Sequence, residues 1–356
     1  MKKVFSIVLS AVLLTIILAG CQTAQDNNKP ETTSTPEPTP AAAQTPEPTP
    51  AGNESGDGTE PVNIRVGGLK GPTSIGLVKL MESAEAGEAA NNYTFTISGS
   101  ADEVTPKLVK GELDMAAVPA NLASVLYNNT NGDIKLLAVN TLGVVYIVEK
   151  GNEIQSFEDL KGKTIYATGK GSTPEYTLRY LLSENGIDPD KDVTLEWKSE
   201  PTEVVALFSE IDYGVAMMPQ PYVTVAQTQI EGLRTAIDLA NEWDALDNGS
   251  DLITGVLVAR KDFVEKYPEQ VAAFLDEYKQ SIEYVNANIP EAAQLVEKFG
   301  IVKAAVAEKA IPYCNIRFME GAEMKASMQG YLSVLFDQNP KSIGGKLPED
   351  DFYYER

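Results

Sequence analysis

From Val62 to Tyr222 the chain writes one series of elements twice, at an offset of about 100 residues. Strand-like Asn63-Ile64-Arg65-Val66 leads into Gly-rich Gly68 to Thr73, and strand-like Lys163-Thr164-Ile165-Tyr166 leads into Thr168 to Thr173. The alternating runs Tyr93 to Ile97 and Val193 to Trp197 follow, then Ser100 to Val104 and Ser199 to Val204. Asp114 to Pro119 and Asp212 to Pro219 complete the series. One short match carries little weight, but five in one order at nearly one spacing imply two lobes built alike. Two such lobes face each other across a cleft, the arrangement of a protein that closes on a ligand.

Each half reads strand, Gly-rich turn, helix, strand, helix, strand, which implies an α/β fold with a parallel-rich sheet covered by helices. In the first half, Gly71-Pro72-Thr73-Ser74 opens a helical pattern with Leu77, Val78, Met81 and Ala84 on one face. In the second half Thr173 or Ser172 caps a helix, Pro174 suits its first turn, and Ser172 and Glu175 stand at capping-box spacing. Leu178, Leu181 and Leu182 then face the core, and Gly186 stops the helix. From Lys261 onward Phe263, Val264, Tyr267, Val271, Phe274, Leu275, Tyr278, Ile282 and Val285 recur at helical spacing. Pro290-Glu291 restarts a helix through Leu295, Val296 and Phe299. This helical block has no counterpart in the repeat and is predicted to pack back onto the first lobe.

The start of the chain carries a different message. Lys2 and Lys3 precede an apolar run from Val4 to Leu18, ending in Leu18-Ala19-Gly20-Cys21. A basic start, a short apolar stretch and a small-residue cleavage site make a secretory signal over 1–20. Cys21 directly after Leu-Ala-Gly resembles a bacterial lipobox and is predicted to be the lipidated mature N-terminus. Residues 21–60 hold no apolar periodicity and carry Thr-Pro-Glu-Pro-Thr-Pro twice, at 35–40 and 45–50. Such sequence cannot bury enough surface to fold, and fully extended it would reach ~120 Å at about 3.1 Å per residue, so it reads as a tether. The expected location is the extracytoplasmic face of the cell membrane, with the lipid as the sole membrane contact.

Formal charge is −22, from 51 acidic and 29 basic side chains. That field repels nucleic acid and anionic headgroups, so neither is an expected partner. Of the chain's two cysteines, Cys314 alone is left once Cys21 is lipidated, so no disulfide is expected and Cys314 reads as a small buried apolar residue. The chain has no histidine. This removes the commonest general base, any Ser–His or Cys–His pair, and most transition-metal sites. No catalytic residue, metal or cofactor is expected, and the chain reads as a non-enzyme.

The repeated elements place helix N-termini after strand ends near Thr73/Thr173, Ser100/Ser199 and Pro119/Pro219. Open α/β sheets bind ligands outside the carboxyl ends of their strands, and helix N-termini there favour accepting or anionic groups. Lys70 and Lys170 stand just before two of these helices and add to that field. Candidate binding residues are therefore Lys70, Pro72, Thr73, Ser100, Asn121, Lys170, Ser172, Thr173 and Gln220, with Tyr176 and Tyr222 as aromatic walls.

The stretch Phe157 to Ile165, then Gly171-Ser172-Thr173 and a helix ending near Asn185-Gly186-Ile187, resembles the binding proteins of ABC importers for sulfonates, taurine, nitrate and thiamine-pyrimidine precursors. Lys110 to Asp114 leading into Val118-Pro119 is similar, as are Tyr267 to Leu275 and Asn288 to Ala293. The resemblance covers roughly 62–338. It implies a type II periplasmic-binding-protein fold: two lobes, a two-crossing hinge, and a ligand between the lobes. The crossings then fall near Asn140-Thr141-Leu142-Gly143 and Asp251 to Gly255, giving lobe 1 as 62–141 with 252–356 and lobe 2 as 142–251. They bring Thr141 and Thr254 to the site. The implied function is a lipid-anchored, monomeric solute receptor serving a membrane permease and its ATPase. Helix N-termini and lysines together with tyrosines point to a small organic molecule: an organosulfonate, a carboxylate or a pyrimidine-like heterocycle. No arginine stands in the loops assigned to the cleft, which speaks against an inorganic anion. A ligand sensor or scaffold for another membrane partner stays open. So does an enzyme of thiamine-pyrimidine synthesis, although that chemistry depends on a histidine this chain lacks.

Overall fold

The computed structural model describes residues 60–356, and the signal-like segment, Cys21 and most of the Pro-Thr stretch lie outside it. The first half of the repeat supplies β1 (Asn63–Leu69), β2 (Asn92–Ser98), β3 (Met115–Pro119) and β4 (Ile134–Leu142). The second supplies β5 (Val145–Lys150), β6 (Thr164–Ala167), β7 (Thr194–Trp197), β8 (Gly214–Pro219) and β9 (Leu233–Asp238). The chain then returns through β10 (Ile253–Arg260) and β11 (Ile316–Met319). Two sheets result, ordered β11-β4-β10-β3-β1-β2 and β7-β6-β8-β5-β9.

With β1 matched to β6, β2 to β7 and β3 to β8, the two sheets share one strand order. The pairs β1–β2, β1–β3, β6–β7 and β6–β8 are parallel. In each sheet one inner strand runs against both neighbours, β10 between β3 and β4 and β5 between β8 and β9, and edge strand β11 also runs against β4. Both inner strands arrive directly from the other half of the molecule. The internal repeat of the sequence is therefore a repeat of topology.

The sheets are flanked by α1 (Pro72–Ile75), α2 (Val78–Ala86), α3 (Ala101–Val109) and α4 (Ala120–Asn129), and by α5 (Thr173–Glu184), α6 (Pro201–Glu210), α7 (Tyr222–Gln229) and α8 (Leu239–Ala245). The expected single helix after Gly71 is broken in two at Gly76. There Ser281 Oγ donates to the Gly76 carbonyl at 2.7 Å, and a Cβ at Gly76 would stand 2.9 Å from Ile282 Cγ1. Backbone contact with a later helix thus overrides the continuous pattern. Leu77, Val78 and Met81 are buried as the stripe requires, and Ala84 is half-buried. The capping box predicted at Ser172 does not form: Ser172 Oγ turns back to donate to the Gly169 carbonyl at 2.7 Å. A complete box stands instead at Ser156 and Asp159.

The C-terminal block forms α9 (Lys261–Lys266), α10 (Pro268–Ala287), α11 (Ile289–Lys298), α12 (Ala304–Ala310) and α13 (Gly321–Gln338). Phe274, Tyr278, Ile282 and Val285 of α10 share a core with Ile64 and Val66 of β1, so this helix packs on the first sheet as the pattern predicts. The last helix does something the pattern does not convey. Met324, Met328, Tyr331 and Leu335 of α13 belong to a core that also holds Leu178 and Leu181 of α5 and Trp243 of α8, so α13 braces both halves.

Cys314 is fully buried, and the loss of solvent pushes its thiol well above the ordinary range. In a Cys21→Ser chain this thiol should resist a water-soluble disulfide reagent under native conditions and react fully in denaturant. Rapid labelling of the native protein would contradict the burial.

Candidate functional site

A cleft of about 660 Å³ opens where the carboxyl ends of the two sheets face each other. Leu69 to Thr73 enter it from the β1–α1 turn, and Gly99 to Asp102 from the β2–α3 turn. Pro119 and Leu122 follow β3. The other half answers with Thr168 to Ser172 and Pro174 after β6, Trp197 to Ser199 and Pro201 after β7, and Pro219 and Gln220 after β8. Thr141 and Thr254, on β4 and β10, and Val144, in the link between β4 and β5, complete the lining. Three turns from each half, at matching positions, thus build one site.

Nine of the sequence-predicted residues meet there: Lys70, Pro72, Thr73, Ser100, Thr141, Lys170, Ser172, Gln220 and Thr254. The depth of the cleft is polar without charge. Gln220 is buried, and its Oε1 accepts from the Thr224 hydroxyl at 2.9 Å and the Thr224 N–H at 3.3 Å. Its NH2 group is left as a donor with no partner among the described residues. Thr254 Oγ1 is likewise buried without a hydrogen-bond partner. Thr141 Oγ1 is committed to Asn140 Oδ1 at 2.9 Å. Lys70 and Lys170 are exposed. Lys198 lies 3.9 Å from Glu196 and 5.7 Å from the centre of the Tyr166 ring.

The other four candidates lie elsewhere. Thr173 is fully buried behind the cleft, where its Oγ1 accepts from the Asn121 N–H and the Tyr331 hydroxyl and donates to Asn121 Oδ1, each at 3.3 Å. Asn121 is equally buried, and its Nδ2 donates to the Ser342 carbonyl at 2.9 Å and the Gly171 carbonyl at 3.4 Å. Tyr222 packs among Val148, Phe208 and Val223, where burial pushes its phenol up to about 12. Tyr176 is half-buried against the large core cluster. Neither tyrosine is a wall of the cleft. That wall is Trp197, the last residue of β7. Sequence reasoning missed Trp197, although its place at the carboxyl end of an alternating run could have pointed to it.

The expectation that bare helix N-termini favour anions also needs correction. Helix α1 is a single turn. Helix α3 carries Asp102 and Glu103 in its first turn, and α6 carries Glu203 after Glu200 at its N-cap. At α5, Glu175 Oε2 accepts the Gly171 N–H at 2.7 Å. Pro72, Pro174 and Pro201 stand in the first turns of α1, α5 and α6 and contribute no N–H at all. The N-terminal fields are largely answered by the protein's own carboxylates.

The model of the family described as NMT1/THI5 like matches residues 96–293. The chain belongs to this family. A crystal structure described as an ABC transporter from Parabacteroides distasonis is 26% identical, with a TM-score of 0.68, over 82% of this chain and 99% of that one. The periplasmic aliphatic sulphonate binding protein of Escherichia coli is 19% identical, with a TM-score of 0.65, over 80% of this chain and 96% of that one. A Brucella abortus (strain 2308) protein described as a binding protein is 25% identical over 174 residues, 49% of this chain and 52% of the relative. The chain thus spans about half the length of the curated relatives it matches. The fold of this family member is the type II periplasmic-binding-protein fold, with two lobes and the cleft between them.

The Asn121–Thr173–Tyr331 cluster ties the starts of α4 and α5 to α13, behind the point where Ser172 and Leu122 enter the cleft. A buried hydroxyl left without its partner costs more than the bond it formed. Tyr331→Phe should therefore lower unfolding free energy by about 1 kcal/mol, and Thr173→Ala by about 1–3 kcal/mol. Urea midpoints unchanged from the parent chain would show that the cluster does not hold the lobes.

Proposed function

We propose that this protein is the solute receptor of an ABC importer, held at the extracytoplasmic face of the membrane through lipid on Cys21 and working as a monomer. The observation that carries the reading is the cleft itself: matching turns of two repeated lobes converge on one cavity of about 660 Å³, within the range that encloses small organic ligands. Family membership and the likeness to the Parabacteroides distasonis protein support it. The lobes in this reading are 62–141 with 252–356, and 142–251, moving about the crossings that carry Thr141 and Thr254. Lys70, Pro72, Thr73, Ser100, Lys170, Ser172 and Gln220 complete the proposed ligand contacts. The solute is a small organic molecule with an accepting or anionic group and an apolar or planar body, delivered unchanged to a permease.

A receptor of this kind is stabilised by its ligand through mass action, by about 2.7 kcal/mol at a hundredfold excess over Kd. A thermal-shift screen of organosulfonates, carboxylates and pyrimidines should find such a solute, and small-angle scattering should then show a more compact particle. Strong stabilisation with an unchanged scattering profile would count against closure between the lobes.

Anchoring has its own test. Cys21→Ser should release the protein from the membrane fraction or leave it unprocessed. Normal processing with full membrane retention would remove the lipid anchor from this reading.

A further inference from the structure

The chain has two tryptophans, and they are placed for different work. Trp243 is fully buried, with ring centres 4.9 Å from Tyr180 and 5.7 Å from Tyr331, and its Nε1 donates to the Ser250 carbonyl at 3.0 Å. Trp197 is half-buried, lines the cleft, and has no aromatic partner among the described residues. Pro72, Pro119, Pro174, Pro201 and Pro219 line the same cavity. Proline rings offer apolar surface and no N–H, so with Trp197 they suit a flat apolar body in this cavity better than a group needing donors.

Lys198, next to Trp197 in the chain, also lines the cleft but lies 3.9 Å from Glu196. Lys70 and Lys170, one from each lobe, line the cleft with no carboxylate within 4.0 Å among the described residues. The lining holds no arginine, so bidentate clamping of a sulfonate, phosphate or nitrate is absent from the design. The first-turn carboxylates Asp102, Glu103 and Glu203 further disfavour multiple negative charge on the ligand.

Resting on the solute-receptor reading, we propose that the ligand is an aromatic monoacid. Its ring lies against Trp197 and the proline wall, and its single anionic group is neutralised by Lys70 and Lys170. Trp197 is then the residue that selects a planar ring over a saturated one of equal size.

Intrinsic tryptophan fluorescence reads this directly, because Trp243 is sealed in the core. The mature protein would be titrated with benzoate and 2-naphthoate, and with three controls: cyclohexanecarboxylate, benzamide and nitrate. The aromatic acids should quench emission and bind at least about tenfold tighter than every control. Trp197→Ala should lose about tenfold or more in affinity for them, and Trp197→Phe, which keeps a ring, should restore most of it while abolishing the quench. Lys70→Ala with Lys170→Ala should weaken benzoate and leave benzamide unmoved. Retained melting temperature certifies that each variant is folded. Equal affinity for benzoate and cyclohexanecarboxylate, or undiminished binding by Trp197→Ala, overturns the inference. If aliphatic acids or sulfonates alone bind, the inference falls and the receptor reading stands. If no compound in this panel or the wider screen binds, both fall.

Discussion

Strand β10 runs antiparallel between β3 and β4, and β5 runs antiparallel between β8 and β9, so each sheet contains one strand delivered by the other lobe. This exchange is the constraint on which the rest of the architecture depends. Every other strand of the two matched sets points its carboxyl end toward the opposite lobe, and the turns that follow have one place to go. Thr254 on β10 and Thr141 on its neighbour β4 both line the cleft. In the proposed receptor, the residues of the crossing would also be residues of the binding site. At the crossing, Asn315 Nδ2 donates to the Gly143 carbonyl at 2.5 Å, and the Tyr146 hydroxyl donates to the Tyr313 carbonyl at 3.3 Å. The segment before β11 thereby reaches across to the start of the second lobe.

The electrostatics of the cleft differ from those of the whole chain. A net charge of −22 repels anions at long range, yet the charged lining is three lysines and one aspartate. Screening limits the long-range term to roughly 8 Å at physiological ionic strength, so a ligand entering the cleft responds mainly to the local lysines. Prolines and acidic first turns then set how much negative charge the site rewards. At the rim, a Cβ on Gly99 would stand 2.4 Å from Glu200 Oε1 of the opposite lobe, a carboxylate tip that can turn aside.

Much of the fold was legible in the sequence because duplication is a statement about topology. The matched runs at Asn63 and Lys163, Tyr93 and Val193, and Asp114 and Asp212 became matched strands. Six turns of the cleft followed from the rule that ligands meet α/β sheets at strand ends. Side-chain direction was less legible. Asn121 and Thr173 stand one residue from cleft-lining Leu122 and Ser172, and one step along a helix start is enough to turn a side chain from ligand to core. Tyr176 and Tyr222 lie on helices whose inner faces carry them into apolar packing, whereas Trp197 ends a strand and is held at the opening. Capping spacing at Ser172 misled because Gly169 and Gly171, both at positive φ, fold the loop back to offer the hydroxyl a nearer carbonyl.

The brace formed by α13 explains why buried polar groups lie between the lobes at all. A purely apolar seam between α4, α5 and α13 would tolerate sliding, since hydrophobic contact has no direction. Hydrogen bonds among Asn121, Thr173, Tyr331 and the Ser342 carbonyl are directional and fully buried, so they fix one register of the two helix starts. Burial also raises the Tyr331 phenol well above its ordinary range. In the proposed closure, this fixed rear edge would leave rotation about the crossing strands as the motion of the lobes. At the opposite, front lip Gly99 meets Glu200, and Lys70 and Lys170 stand exposed.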